Sequence, residues 1–248
     1  VTGRARREDQ EVILEDVLAR ARRAAPAGVV VLDLDSTLLD NRPRQAQILR
    51  DYGRAHVLLP LLDARPEHWQ SWDIELAMRN AGLAPEEARA HAAPARRFWA
   101  EWFFTSAYCR LDVPVPGAPA FARALADAGA RLAYVTGRPA RMREGTLHVL
   151  SREGFPVTDG GRVSLLMKED PALGDDAWKG RACAEVERLG AVVAAFDNEP
   201  AHVNLYAERW PGALSVHVDT DHSRRPIEVL ARVPSILDFT RAGAAATG

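Results

Sequence analysis

Two aspartates two residues apart, Asp33 and Asp35, end an uninterrupted apolar run, Val29-Val30-Val31-Leu32, and Ser36 and Thr37 follow them. Carboxylates and hydroxyls gathered this closely can hold a cation, and a carboxylate can serve as nucleophile or proton carrier. If the backbone stays extended, alternation points Asp33 and Asp35 the same way. Two anions so close repel, and a divalent cation is the simplest means of keeping both ionised. The same residues also suit a strand closing in an Asx or Ser turn, so this segment alone leaves both readings open.

Two later stretches repeat the pattern. Arg131-Leu132-Ala133-Tyr134-Val135 runs into Thr136-Gly137-Arg138-Pro139, and Ala191-Val192-Val193-Ala194-Ala195-Phe196 into Asp197-Asn198-Glu199-Pro200. Among 32 basic residues lysine occurs only twice, at Lys168 and Lys179. In so arginine-rich a chain a lysine marks a place where a compact point charge serves and a rigid fork does not. Carboxylates, a hydroxyl, an amine and backbone N–H groups at one sheet edge form the equipment for phosphoryl transfer: a nucleophile, counter-charge and an acid for the leaving group.

The elements that position these residues can be read in order. Residues 11–18 have helical rhythm, Arg20, Arg22 and Arg23 suit a helix C-terminus, and Pro26 and Gly28 stop it. The first strand reads as buried and central to a parallel sheet. Residues 41–110 are helical in pattern, with helices expected at about 43–59, 66–80, 85–91 and 94–110. Trp99, Trp102 and Phe103 share one face of the last of these. Prolines at 114, 116 and 119 mark the return. Regular α/β follows: a helix at 118–128, the Arg131 strand, a helix at 140–153, a turn-rich stretch at 154–161 and a short strand at 163–167. A helix capped by Asp175 or Asp176 then leads to the Ala191 strand, and a last strand covers 214–218. The expected class is α/β, a doubly wound, mostly parallel sheet with an all-helical cap domain. Residues 1–40 and 111–248 form the core and 41–110 the cap; the tail from 219 carries no signal, and Ala- and Gly-rich 242–248 is expected to fray.

The order Asp33-Leu34-Asp35-Ser36-Thr37-Leu38, Thr136-Gly137-Arg138, Lys179, Asp197-Asn198 resembles the four signature motifs of the haloacid dehalogenase-like (HAD) hydrolase superfamily, in its phosphatase branch. The resemblance covers about residues 28–218 and implies a Rossmann-like core with a cap inserted between the first two motifs. It implies that Asp33 is the nucleophile, taking the phosphoryl group as an aspartyl-phosphate, and that Asp35 is the acid and then the base. Dehalogenases of the superfamily lack a second aspartate there. Mg²⁺ would be held by Asp33, the Asp35 carbonyl and Asp197, with Asn198, where an acidic residue is commoner, holding a metal-bound water. Thr136 and Gly137 would bind phosphoryl oxygens, with Ser36 and Thr37 beside them, and Arg138 would support the loop or touch substrate. Lys179 would neutralise nucleophile and phosphate; Lys168 competes for that role, since members differ in how far upstream the lysine lies. Glu199 takes a water-mediated role or caps the next helix.

The bulk numbers limit the rest. A chain of 248 residues, 47% hydrophobic, can bury one sizeable core and a smaller second one. The formal net charge of −2 offers no global attraction to nucleic acid or anionic membrane. Cys109 and Cys183 have neither metal-ligand nor disulfide spacing. The pair His217 and His222 with Asp219 lacks a fourth convergent ligand. No run reaches the length of a membrane span and the start lacks the apolar core of a secretory signal, so the expectation is a cytoplasmic protein. The expected reaction is Mg²⁺-dependent hydrolysis of a small soluble phosphate ester, without nucleic-acid or membrane partners. A polynucleotide-end phosphatase is the enzymatic alternative, and a non-catalytic binding protein on the same scaffold the alternative of another class.

Overall fold

The computed structural model describes residues 7–157 and 161–241. The expected fraying of 242–248 lies outside the described residues, as does part of the turn-rich stretch 154–161. In chain order, helix α1 (Arg7–Ala24) leads to strand β1 (Gly28–Leu32) and the short β2 (Leu39–Asp40). Helices α2 (Arg42–His56), α3 (Ile74–Asn80), α4 (Pro85–Phe103) and α5 (Ser106–Cys109) follow, then β3 (Val113–Pro114). The remainder alternates: α6 (Ala118–Asp127), β4 (Arg131–Pro139), α7 (Arg143–Arg152), β5 (Val163–Lys168), α8 (Asp175–Leu189), β6 (Ala191–Asp197), α9 (Pro200–Arg209), β7 (Leu214–Val218) and β8 (Ser235–Ile236). Two compact units result, one containing the chain up to Leu39, Pro114–Ala140 and everything from Leu150, the other Asp40–Val113 and Arg141–Val149.

The first unit is built on a six-stranded sheet in the order β5-β4-β1-β6-β7-β8, with every pair parallel. All five residues of β1 are buried, as expected of a β-branched run covered on both faces. Val29, Val31, Ala133, Val135 and Ala195 pack on one face against Ala182, Cys183 and Val186 of α8 and Tyr206 of α9. Phe196, next along β6 and so pointing the other way, meets Phe121 of α6 and Phe239 at centroid distances of 5.6 and 5.5 Å. On that side Gln10 of α1 donates to Asp238 at 2.8 Å. Chain order departs from β1 in both directions, towards β4 on one side and β6 on the other. The β1/β6 junction is therefore the topological switch point, where the carboxyl ends of strands open a crevice.

The second unit is helical. Ala46, Leu49 and Tyr52 of α2, Ile74, Ala77 and Met78 of α3, and Ala88 and Ala95 of α4 share one core with Leu61 and Trp69. Within it Arg44 and Asp112, both fully buried, pair at 2.9 Å, and the guanidinium lies 3.8 Å from the Phe103 ring centre.

Several element boundaries differ from the sequence reading. Proline at 94 was expected to start a new helix, yet α4 runs through it. The alanines, glutamates and arginines on either side are strong helix formers, and with the burial of Ala88 and Ala95 they outweigh the roughly 3 kcal/mol an interior proline costs. The helix expected over 66–80 forms only from Ile74. Ser71 and Trp72 adopt positive φ before it, and Asp73 then caps α3 by accepting from the Leu76 N–H at 3.1 Å. Asp175 and Asp176 are not caps either; Gly174 holds that position and both carboxylates are used elsewhere. The tail, expected to be silent, supplies β8 and a strap described below.

Gly117 enters α6 with φ +78, and a Cβ there would lie 2.3 Å from the Phe239 carbonyl oxygen. Gly117→Ala should therefore lower unfolding stability by at least about 2 kcal/mol. Urea denaturation checks this, and an unchanged midpoint would show that the approach of residue 239 is not rigid.

Candidate active site

Asp33 directly follows β1 and Asp197 ends β6, in strands whose registers match Leu32 to Phe196. The Asp33 N–H continues the ladder by donating to the Phe196 carbonyl at 3.1 Å. The two carboxylates thus meet across the switch point, and both are buried. Between them sits the Lys179 ammonium, 2.7 Å from Asp33 Oδ1 and 2.8 Å from Asp197 Oδ2. Its third donor reaches the Val135 carbonyl of β4 at 2.9 Å, so all three N–H groups are used. Lys179 comes from α8, which Trp178 ties to β4 by donating to the Thr136 carbonyl at 2.8 Å.

The other oxygens of the pair are also engaged. The Thr37 hydroxyl lies 2.9 Å from Asp33 Oδ2 and 3.1 Å from Asn198 Oδ1, and accepts from the Asn198 N–H at 3.1 Å. Asp197 Oδ1 accepts from the Glu199 N–H at 2.9 Å and faces His202 Nδ1 at 3.5 Å. Asp35 does not share this cluster's cation. Buried Arg138 grips it with a two-point fork, Nε to Oδ2 and Nη2 to Oδ1, both at 2.8 Å. Asp33 thus faces Lys179, which it shares with Asp197, and Asp35 faces Arg138.

The remaining candidates divide. The Thr136 hydroxyl accepts from the Arg138 N–H at 3.2 Å. Gly137 is a point of close approach, since a Cβ there would sit 3.2 Å from Asp175 Oδ1. Ser36 turns the loop at φ +60, its N–H donating to the Leu39 carbonyl at 2.8 Å. Lys168 stands apart from the carboxylate pair, bound to Asp175 at 2.7 Å. Glu199 neither caps α9 through its side chain nor points to the Asp33–Asp197 pair. Its carboxylate accepts from the Ser223 N–H and hydroxyl at 3.0 and 2.8 Å and pairs with Arg225 at 3.1 Å. His217 is held by the Asn198 carbonyl and the Ser235 hydroxyl at 3.1 and 3.2 Å.

Residues 220–225, of which the sequence singled out only His222, form a strap on the loops after β1 and β6. The Thr220 hydroxyl donates to the Ser36 carbonyl, and Asn198 Nδ2 donates to the Asp221 carbonyl at 2.6 Å. Arg225 grips Asp176 at 2.6 and 3.0 Å, and Asp176 in turn holds His202 Nε2 at 2.9 Å. A signal was available: Asp219 and Asp221, two residues apart with Thr220 between them, follow the strand Leu214–Val218 as Asp33 and Asp35 follow β1.

Charge explains the electrostatics. Five carboxylates (Asp33, Asp35, Asp176, Asp197 and Glu199) face three permanent cations (Lys179, Arg138 and Arg225), with His202 a fourth when protonated. Burial pushes the Asp33 carboxyl up to about 6, against the pull of Lys179 and with the help of Asp197. Burial acts on Asp197 in the same sense, but Lys179 and His202 hold it well below the usual carboxylate range. Burial opposes protonation of Lys179 and His202, yet the neighbouring carboxylates raise both. The cluster thus holds more carboxylates than cations, and burial makes Asp33 the least favoured of these anions. Among the described residues no three His, Cys, Asp or Glu side chains converge as a metal cage. Hard oxygens with surplus negative charge nonetheless suit a small divalent cation such as Mg²⁺, which takes one or two carboxylates and completes its shell with water and phosphate.

Residues 28–180 match the haloacid dehalogenase-like hydrolases, and the chain belongs to that family. The larger part of its helical unit, Asp40–Val113, lies between the first and second motifs, and Arg141–Val149 follows the second. Among curated proteins no sequence matches the chain. Protein Tyrosine Kinase A (PtkA) of Mycobacterium tuberculosis is similar in structure, at 19% identity and a TM-score of 0.52 over 86% of this chain and 94% of that one. The class C acid phosphatase of Bacillus anthracis aligns at 17% identity with a TM-score of 0.44, covering 79% of this chain and 66% of the longer enzyme. At such identities the likeness to PtkA speaks for the fold. Among the described residues no helix is long and apolar enough to cross a membrane.

The position of Asp33 has a measurable sign. Its carboxyl rises from 3.8 to about 6 on folding, so its ionisation subtracts from stability; the loss is absent below the lower value and complete above the higher. Relative to Asp33→Asn, the metal-free wild type should therefore lose stability as the pH rises from 3.8 to about 6. Denaturant unfolding in chelator checks this, and a pH-independent difference between the two proteins would contradict the raised Asp33 carboxyl.

Proposed function

We propose that the chain is a phosphomonoester hydrolase that works through an aspartyl-phosphate on Asp33 and uses a small soluble phosphate ester as substrate. The observation that carries this reading is the buried Asp33 carboxylate, at the switch point of a parallel sheet, facing a lysine and lying beside a second aspartate held apart on its own arginine. A carboxylate that is buried, short of counter-charge and fixed by Thr37 is poised for attack on an electrophile.

In the first step an Asp33 oxygen bonds to phosphorus and the bond from phosphorus to the ester oxygen breaks. The electron pair leaves on that oxygen, which takes a proton from Asp35. In the second step water bonds to phosphorus and gives its proton to Asp35. The bond to the Asp33 oxygen then breaks, restoring the carboxylate and releasing inorganic phosphate. The Thr136 hydroxyl and the Gly137 N–H would donate to the phosphoryl oxygens. Lys179 has its three donors committed, so it contributes charge rather than a spare hydrogen bond. Asp33, the Asp35 carbonyl and Asp197 would hold Mg²⁺, with Asn198 beside them. When bound, the ion would neutralise charge on the phosphoryl oxygens and supply the positive charge the carboxylates lack. Lys168, paired with Asp175, is at most a contributor to the pocket edge in this scheme.

Two measurements test the reading. Phosphate release from a panel of phosphomonoesters should require Mg²⁺, stop in chelator and vanish in Asp33→Asn; release that survives in that variant would remove the nucleophile. Lys179→Ala should lower kcat/KM by at least about 10²-fold, whereas Lys168→Ala should stay within roughly a factor of five, as expected for a half-exposed ion pair with Asp175. The opposite ranking would transfer the role to Lys168.

A further inference from the structure

We propose that Arg138 is a positioning residue for Asp35: its guanidinium sets the plane of the Asp35 carboxylate, and with it the direction in which that group meets the leaving oxygen. The inference rests on the hydrolase reading above and assigns to Arg138 a part that composition cannot indicate in so arginine-rich a chain.

The geometry is a fork on a fork. Nε and Nη2 each lie 2.8 Å from a different Asp35 oxygen, the two-point arrangement that a planar guanidinium makes and an ammonium cannot. Arg138 is 1% exposed, whereas the Asp35 side chain is 20% exposed, so the cation is the fixed partner and the carboxylate the one that reaches open space. Both backbones are anchored. Arg138 lies within β4, whose pairing with β5 resumes at Pro139 beyond it, and its N–H is held by Thr136 Oγ1. Asp35 bridges to Leu39, and Ser36 turns the chain immediately after it.

With the main chain fixed on both sides, the freedom left to Asp35 is rotation about its side-chain bonds, and a two-point contact removes the rotation of the carboxylate plane. Each carboxylate oxygen has two acceptor directions in that plane. The fork fixes that plane through both oxygens, and with it the acceptor directions of each. A misplacement of about 1 Å costs roughly 10²-fold in rate, which makes this constraint worth a buried arginine.

The test compares Arg138→Lys, which keeps charge and loses the fork, with Arg138→Met. On an alkyl phosphate, whose leaving group needs the proton, kcat/KM, which reports the steps up to departure of that group, should fall roughly 10²-fold in both variants. On an aryl phosphate such as p-nitrophenyl phosphate the fall in kcat/KM should be less than about tenfold, since that leaving group departs with less help. In Asp35→Asn the added Arg138→Met should cost nothing further. Equal losses of kcat/KM on both esters, or wild-type kcat/KM in Arg138→Lys, would overturn the proposal. A crystal structure of each variant supplies a readout independent of turnover: the Asp35 carboxylate should leave its wild-type plane, and an unchanged Asp35 would overturn the proposal. If the wild type releases phosphate from no ester, the hydrolase reading fails and the crystallographic arm still decides whether Arg138 positions Asp35.

Discussion

One ammonium between two buried carboxylates is the interaction on which the rest of the site depends. Removing three ions from water costs several kcal/mol each, and the mutual attraction offsets this only where geometry and hydrogen bonding are good. Lys179 meets that condition with three short contacts. The two carboxylates are nevertheless unequal. Asp197 has a backbone N–H and His202 in addition to the lysine, whereas Asp33 has the lysine and one shared hydroxyl. The anion with fewer supports is the one the fold keeps least comfortable, and an uncomfortable anion is a reactive one.

Such a cluster needs a scaffold that cannot relax around it. The parallel sheet supplies one by presenting consecutive strand ends in fixed register, so that Asp33 and Asp197 are neighbours because Leu32 and Phe196 are paired. The same sheet lends the Val135 carbonyl to Lys179, while Trp178 ties the lysine's helix to β4. Packing and chemistry share these contacts. The apolar residues of β1 bury the strand on both faces, and the price of ending it in charge is met by neighbours chosen for their charge.

The sequence announces this arrangement unevenly. An apolar β-branched run that stops at polar residues is a local pattern, so the strands carrying Asp33, Thr136 and Asp197 can be read directly. Pairing between distant side chains is not local. Arg138 and Asp35 are 103 positions apart, and Thr220 and Ser36 are 184 apart; nothing at either end names its partner. The strap from 220 to 225 is less legible because its strand, Leu214–Val218, is interrupted by Ser215 and His217 and lacks the unbroken apolar run of β1, although Asp219 and Asp221 repeat the spacing of Asp33 and Asp35. Pro94 misled for the opposite reason: a strong local signal for a break was outweighed by the helix formers around it and by burial in a shared core.

The strap has a consequence for how the protein comes into being. The loop that follows β1 is made well before residues 220–225, yet its Ser36 carbonyl waits for Thr220, and the loop after β6 waits for Asp221, Ser223 and Arg225. Until those residues have left the ribosome, Glu199 and the Asn198 amide lack the partners that hold them, and contacts of long sequence separation form slowly. The molecule thus has an order of assembly written into it: the reactive end of the first strand exists before the segment that braces its loop.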